Sequence, residues 1–327
     1  MHCFTVTCIT YIADLIVTSS IVSSSTSPSP SPSPSSRGRQ TQLDHRHLDR
    51  QLRHIISSAQ GPRRSLSSIS CCQIGRQEWR SKMAEKGDRF MAHLEAELPL
   101  GMEALVLPFE DKRVGLVIVD EVNGFCTVGN GNLAPTESVE AVTEMVKHTD
   151  HLAKQFSART WPIIAFLDTH QEHKPEPPYP PHCIEGTGEE NLVPELLWLE
   201  SDPNTTLMRK DCINGFVGGI RDDGSNIVID WIKNNKIQQI LVVGICTDIC
   251  VMDFVVTALS ARNHGIMKPL EDVFVFSEAC ATYHLPLDVA KTLKPPAFPH
   301  PQDITHYMGL YFAKSRGARI VNKVSLL

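Results

Sequence analysis

From residue 114 onward, six short runs read as β-strands, at 114–120, 162–168, 205–209, 239–245, 272–277 and 318–325, most of them dense in Val, Ile, Leu and Phe. Between them the period changes. Over 137–158, apolar Val139, Val142, Met145, Val146, Leu152, Ala153 and Phe156 recur at mostly three- and four-residue steps, as on one face of an amphipathic helix. Further helices are predicted over 89–98, 191–200, 226–235, 286–293 and 302–314. Another starts after Asp248, apolar on nearly every side and therefore expected to be largely buried. Strand and helix alternate throughout. The expected fold is α/β: a three-layer, doubly wound, mostly parallel six-stranded sheet with helices on both faces and right-handed crossovers. Two long loops interrupt it, a Gly/Asn-rich one at 121–136 and a Pro-rich one at 171–190. A loop as long as the second in a compact domain is usually functional.

In such a sheet the C-terminal ends of the strands share one edge, and ligands bind there. Four predicted strands end on residues able to do chemistry. The first ends at Asp120, a carboxylate closing an apolar run, which is costly there unless it has partners. The second ends at Asp168 and His170, the third at Lys210, and the fourth runs through GICTDICV to Cys250. Thr247 or Asp248 can cap the helix that begins in that motif. Cys250 would then sit in its first turn, where orphan amides and the helix dipole favour a thiolate. Cys246 stands four residues earlier, a poor redox spacing compared with CxxC.

Asp168 and His170 are two apart on a strand end and point to one side. With His182 from the Pro-rich loop they form a set of one carboxylate and two imidazoles. Such a set suits zinc, iron or manganese and leaves positions open. His173 and Glu176 on the same loop could add a ligand, but each reads first as a solvated side chain, as does Arg209. A carboxylate, an amine, a thiol and a metal set at one edge point to a cysteine hydrolase with one bound divalent transition metal.

Composition narrows the picture. Residues 1–82 are rich in Ser, Arg and Pro, include an SPSPSPSP run, and carry ten Lys/Arg against four acids; the remainder carries 21 against 33. An acidic globular part argues against nucleic-acid binding. Residues 83–327 suffice for one α/β domain. The N-terminal segment has three open readings: a transit peptide, upstream sequence or a disordered tail with Met83 or Met91 as working start, and a functional tail. A secretory signal fits poorly, since Asp14 interrupts the apolar stretch from Cys3 to Val22. No run of about 18 uncharged apolar residues occurs, so no membrane span is expected. Ten cysteines without a CxxC pair suggest free thiols in a reducing, cytoplasmic or nuclear setting, or an organelle if the leader is a transit peptide.

The segments VIVDEVNGF, FLDTHQEH, YPPHC, RKDCINGF and GICTDICV, in that order, resemble the nicotinamidase branch of the isochorismatase-like hydrolases, most closely those of plants. The likeness runs from about residue 89 to the C-terminus. It implies a catalytic triad of Asp120, Lys210 and Cys250, and a metal, zinc first, on Asp168, His170 and His182. It also implies aromatic walls for a pyridine ring at Phe125 and Tyr179, and an oxyanion hole from the amides of Cys246 and Cys250 beside a non-proline cis peptide. Nicotinamide would be the substrate, within NAD salvage, and the enzyme a homo-oligomer. Val122 departs from the family, in which a polar residue often stands two after the first Asp. A ureido or carbamoyl amidohydrolase, and a silent binding protein on the same fold, are the alternatives.

Overall fold

The computed structural model describes residues 87–107, 113–293 and 297–326. Residues 1–82, expected to be a low-complexity extension, lie outside the described residues. The strands are β1 (Glu103–Leu107), β2 (Val114–Val119), β3 (Ile163–Asp168), β4 (Thr205–Lys210), β5 (Gln239–Ile245), β6 (Asp272–Ala281) and β7 (Arg319–Leu326). They form one sheet in the order β1-β7-β6-β5-β2-β3-β4, with every neighbouring pair parallel.

The α/β class matches the sequence reading, but the sheet has seven strands rather than six. The extra one, β1, is a five-residue edge strand whose residues alternate between exposed and buried. So short a run carries little signal of its own; it becomes a strand because β7 offers it a ladder. The expected helix at 191–200 is instead a 3₁₀ segment, Pro194–Ser201, and the one at 286–293 shortens to Leu287–Ala290.

All six residues of β2 and all six of β3 are buried, because both faces of the sheet are covered. Alternate residues feed two cores. Helix α1 (Glu140–Ala158) covers Leu116, Ile118, Ile163, Leu167 and Val243 on one face; on the other, Val117, Val119, Ile164, Phe166 and Val242 pack with helices α2 (Ile227–Asn235), α3 (Met252–His264) and α4 (Gln302–Ser315). The Phe166 ring meets Phe254 of α3 edge-on at 5.0 Å between centroids. Each such fully buried side chain contributes about 1.5–3 kcal/mol. Among the described residues no helix is long and apolar enough to cross a membrane.

The chain winds outward from β2 through β3 to β4, then returns to β5 and winds the other way. The order therefore reverses between β2 and β5, and a crevice opens outside their C-terminal ends. Gly244 lets those two strands close up. A Cβ there would lie 2.1 Å from the Val119 carbonyl oxygen, and its φ of 120° suits glycine alone.

Beside that crevice, on the α1 face, Glu121 is fully buried. Its Oε1 accepts a 2.6 Å hydrogen bond from Thr149 Oγ1, and its Oε2 has no aligned partner. Burial pushes its carboxyl up to about 8, against the Thr149 hydrogen bond. The folded state therefore holds a proton that the unfolded chain releases at its ordinary carboxyl range, and stability declines as pH rises toward about 8. Glu121→Gln keeps the shape and the acceptor without the proton. It should raise the melting temperature by a few degrees at pH 7.5 and have little effect at pH 5. Equal shifts at both pH values would rule out a buried titrating Glu121.

Candidate active site

The ends of β2, β3, β4 and β5 bring six of the residues singled out from the sequence to one edge. In the β3–β4 ladder Asp168 stands directly opposite Lys210. Their side chains meet there: Lys210 Nζ donates to Asp168 Oδ1 at 2.7 Å and also lies 2.9 Å from Asp120 Oδ2. Cys250 Sγ is 4.0 Å from the same Nζ. One ammonium thus serves two carboxylates and a thiol, all buried.

The two carboxylates are not equivalent. Burial opposes ionisation of Asp168, but Lys210 and two imidazoles outweigh it and hold its carboxyl well below the usual range. For Asp120 burial wins over Lys210, and the nearby Asp168 charge adds to it, so its carboxyl is raised to about 6. Lys210 Nζ and the Cys250 thiol face this carboxylate and oppose the rise without cancelling it. Asp120 is therefore the carboxylate poised to take a proton. It follows β2 in a left-handed conformation, φ 53°, uncommon for a residue with a side chain, and its N–H donates to Phe166 O at 3.1 Å. Burial also opposes ionisation of Lys210, yet the surrounding anions raise its pKa well above the ordinary value. The Cys250 thiol is pushed up by burial, and Lys210 acts in the opposite direction. A thiolate forms there only when its proton has a receiver close by.

Cys250 does not stand in the first turn of an ordinary α-helix. After a cis Ile245–Cys246 peptide the chain makes a π-turn, Thr247–Val251, in which the Cys246 carbonyl accepts from Val251 N at 3.1 Å. Neither Thr247 nor Asp248 caps it, contrary to the sequence expectation. Their side chains reach away to His306 and to Thr282 and His300.

The Pro-rich loop folds back over the end of β3 and delivers His182. His170 Nε2 and His182 Nε2 lie 3.0 and 3.1 Å from Asp168 Oδ2. The loop is pinned where His170 N donates to Cys183 O, and Glu185 N to His170 O, both at 2.9 Å. His182 Nδ1 lies 2.8 Å from the Pro180 carbonyl, which only accepts, so Nδ1 carries a hydrogen and Nε2 is the ring atom turned toward Asp168. Three donor atoms within 4.8 Å of one another, one of them a carboxylate, fit a divalent transition metal.

Glu176 lies nearer the ligand reading of the sequence than the solvated one. It is half-buried rather than solvated; its Oε1 accepts from Ile213 N at 2.7 Å, and its Oε2 lies 3.7 and 3.6 Å from the two imidazole Nε2 atoms. Only the fold-back of the loop brings it there, so no local spacing signals it. His173 and Arg209 are exposed, as expected. Phe125 and Tyr179 flank the set: their rings lie 5.7 and 6.1 Å from that of His182. Val122 is buried and bridges to Leu192, away from polar work.

An isochorismatase-domain family model matches residues 114–293. Nicotinamidase 1 of Arabidopsis thaliana is 56% identical over 232 residues, spanning 71% of this chain and 95% of that protein. The nicotinamidase/pyrazinamidase of Mycobacterium tuberculosis is 28% identical over 161 residues, 46% of this chain and 80% of that protein. Among solved structures, nicotinamidase PncA from Bacillus subtilis superposes with a TM-score of 0.48 at 22% identity, covering 64% of this chain and 99% of that one.

Proposed function

The chain belongs to the isochorismatase family, and from that membership and the site we infer that it is a nicotinamidase, a hydrolase that converts nicotinamide to nicotinate and ammonia in NAD salvage. The observation that carries the reading of the site is the buried Lys210 ammonium shared by Asp120, Asp168 and Cys250, at the same sheet edge as the three metal-type donors.

The chemistry follows from who holds the proton. Asp120 takes the Cys250 proton while Lys210 keeps the charge of the cluster balanced. The thiolate adds to the carboxamide carbon. The amides of Cys246 and Cys250, on the π-turn, receive the developing oxyanion, each such donor being worth about 10²–10³ in rate. Asp120 returns the proton to the leaving nitrogen, and ammonia departs from a Cys250 thioester. Water then cleaves the thioester, giving nicotinate and restoring the thiol. Phe125 and Tyr179 would hold the flat ring between apolar surfaces. Asp168, His170 and His182, with Glu176 within reach, would hold the metal, zinc in our reading; once bound, it would supply a Lewis-acid anchor for the pyridine nitrogen. Six free cysteines among the described residues support a reducing, cytoplasmic setting.

The test is ammonia release from nicotinamide and from benzamide, before and after a chelator. Nicotinamide should be the far better substrate, and chelation should erase most of that advantage. No release from either amide would overturn the reading. Full activity of metal-free protein on nicotinamide would remove the ring-anchoring role alone.

The pH profile offers a second check. Asp120 must begin as a carboxylate, so kcat/KM should rise with pH through about 6, the value to which burial lifts it. An acid limb near the ordinary aspartate range would show that another group controls the step.

A further inference from the structure

Behind the nucleophile turn lies a polar network that this chemistry does not use. Asp248 sits midway between Cys246 and Cys250. Its Oδ1 accepts from Thr282 Oγ1 at 2.7 Å, just past β6, and its Oδ2 lies 2.8 Å from His300 Nε2. The other ring nitrogen of His300, Nδ1, is 2.8 Å from the Tyr283 carbonyl oxygen, with Thr305 Oγ1 at 3.3 Å. The Tyr283 ring stacks on the imidazole, 3.8 Å between centroids and 13° from parallel. The backbone of His300 is anchored as well, by a pair of hydrogen bonds with Leu285 at 2.7 and 2.8 Å.

The proton inventory of this pair is constrained. A carbonyl only accepts, so Nδ1 carries a hydrogen. If Nε2 were bare, its lone pair would face a carboxylate oxygen at 2.8 Å; a proton must lie in that contact. The ring is therefore an imidazolium against a carboxylate. Burial disfavours that charge, but Asp248 and the Tyr283 carbonyl outweigh it and lift His300 above the ordinary histidine range. Around the pair stand Cys246, Tyr283, His284 and His306, with Asp303 and Glu278 near His306. Burial keeps His306 below the ordinary range, so its ring is neutral where its Nδ1 meets Thr247 Oγ1 at 2.8 Å. From the helix side α4 closes directly on the turn: a Cβ on Gly309 would fall 2.7 Å from Asp248 Cα.

We propose that His300 is a positioning residue for the reaction, its cationic ring clamping Asp248 and thereby fixing the turn that bears Cys250 and the amides of Cys246 and Cys250. The proposal rests on the reading of that turn as nucleophile and oxyanion hole. Its effect falls on the chemical step. The rings at Phe125 and Tyr179 and the donors at Asp168, His170 and His182 come from other segments, so binding of the substrate is left alone. Above the pKa of His300 the proton is lost, a lone pair faces the carboxylate, and the clamp opens.

The experiment compares wild type, His300→Ala and His300→Gln, with kcat and KM for nicotinamide across pH and melting temperatures alongside. His300→Ala should lose about tenfold to a hundredfold in kcat, the scale of a small misplacement of reacting groups, with KM within about twofold. His300→Gln puts an amide N–H near the Nε2 position. It should recover much of kcat and lack the alkaline limb of the wild type, because glutamine does not titrate. Both variants keeping the wild-type kcat and alkaline limb would overturn the proposal, as would a kcat loss that disappears at temperatures well below each variant's melting. If His300→Ala does not fold, His300→Gln decides: the wild-type alkaline limb in that variant is the overturning result. A parallel measurement uses no substrate: the rate at which iodoacetamide alkylates Cys250, read by mass spectrometry on its peptide. It should fall in His300→Ala and recover in His300→Gln; one rate for all three proteins counts against the clamp. A wild type that releases no ammonia would sink the nicotinamidase reading by itself, and the alkylation rates would still decide the role of His300.

Discussion

Cys250→Ala is expected to remove turnover of nicotinamide almost completely, by more than about 10⁴-fold in kcat, because Cys250 is the thiol set against the Lys210 ammonium and forms the covalent intermediate. The thiol is nearly buried, 9% exposed, beside Lys210, and alanine removes only the sulfur. The melting temperature should change little. The decisive measurement is ammonia release in a variant whose thermal unfolding matches wild type. Release above a trace would move the nucleophile elsewhere, and Cys246, four residues away on the other side of the π-turn, would be next in line.

Lys210→Ala should also cost at least about 10³-fold in kcat, but with a different signature. Removing the ammonium leaves Asp120 and Asp168 buried without the charge both depend on. Breaking a buried ion cluster by deleting one partner typically costs about 3–5 kcal/mol. Lys210→Ala should therefore be clearly less stable than wild type, whereas Cys250→Ala is not. The carboxyl of Asp120 should rise further, since the one cation holding it down is gone, and the acid limb of any residual activity should shift to higher pH. Because the groups act as a unit, Lys210→Ala combined with Asp120→Asn should be little slower than either alone. Additive losses, or a Lys210→Ala protein as stable as wild type, would show that the ammonium is not shared as the distances indicate.

His300 and Glu176 show why part of the site was hidden. Glu176 lies in a run of prolines and charges that reads as a solvated loop. It reaches the two imidazoles only because the Ile213 amide and the pairing of His170 with the Cys183–Glu185 segment bend the loop back. His300 is 52 residues from Asp248, and between them lie α3, β6 and the short Leu287–Ala290 helix. No periodicity links such positions. The π-turn was equally out of reach, since TDICV has the composition of an ordinary capped helix start. What decides otherwise is the close approach at Gly244 and the packing of Gly309 against Asp248.

The alternation of strand and helix, the two-sided burial of the sheet and the placing of Asp120, Asp168 and Lys210 at strand ends were already present in the linear pattern. A strand exposes its period locally, and a polar residue closing an apolar run marks the sheet edge wherever the strand is placed. Tertiary structure alone decided the rest: that β1 pairs with β7, that the order of strands reverses between β2 and β5, that Asp168 faces Lys210 across a ladder, and that Asp120 and Asp168 differ in proton affinity though both are buried aspartates. Proton affinity depends on the distance to each neighbouring charge and on the water excluded around it, and those quantities exist only once segments distant in the chain have packed together.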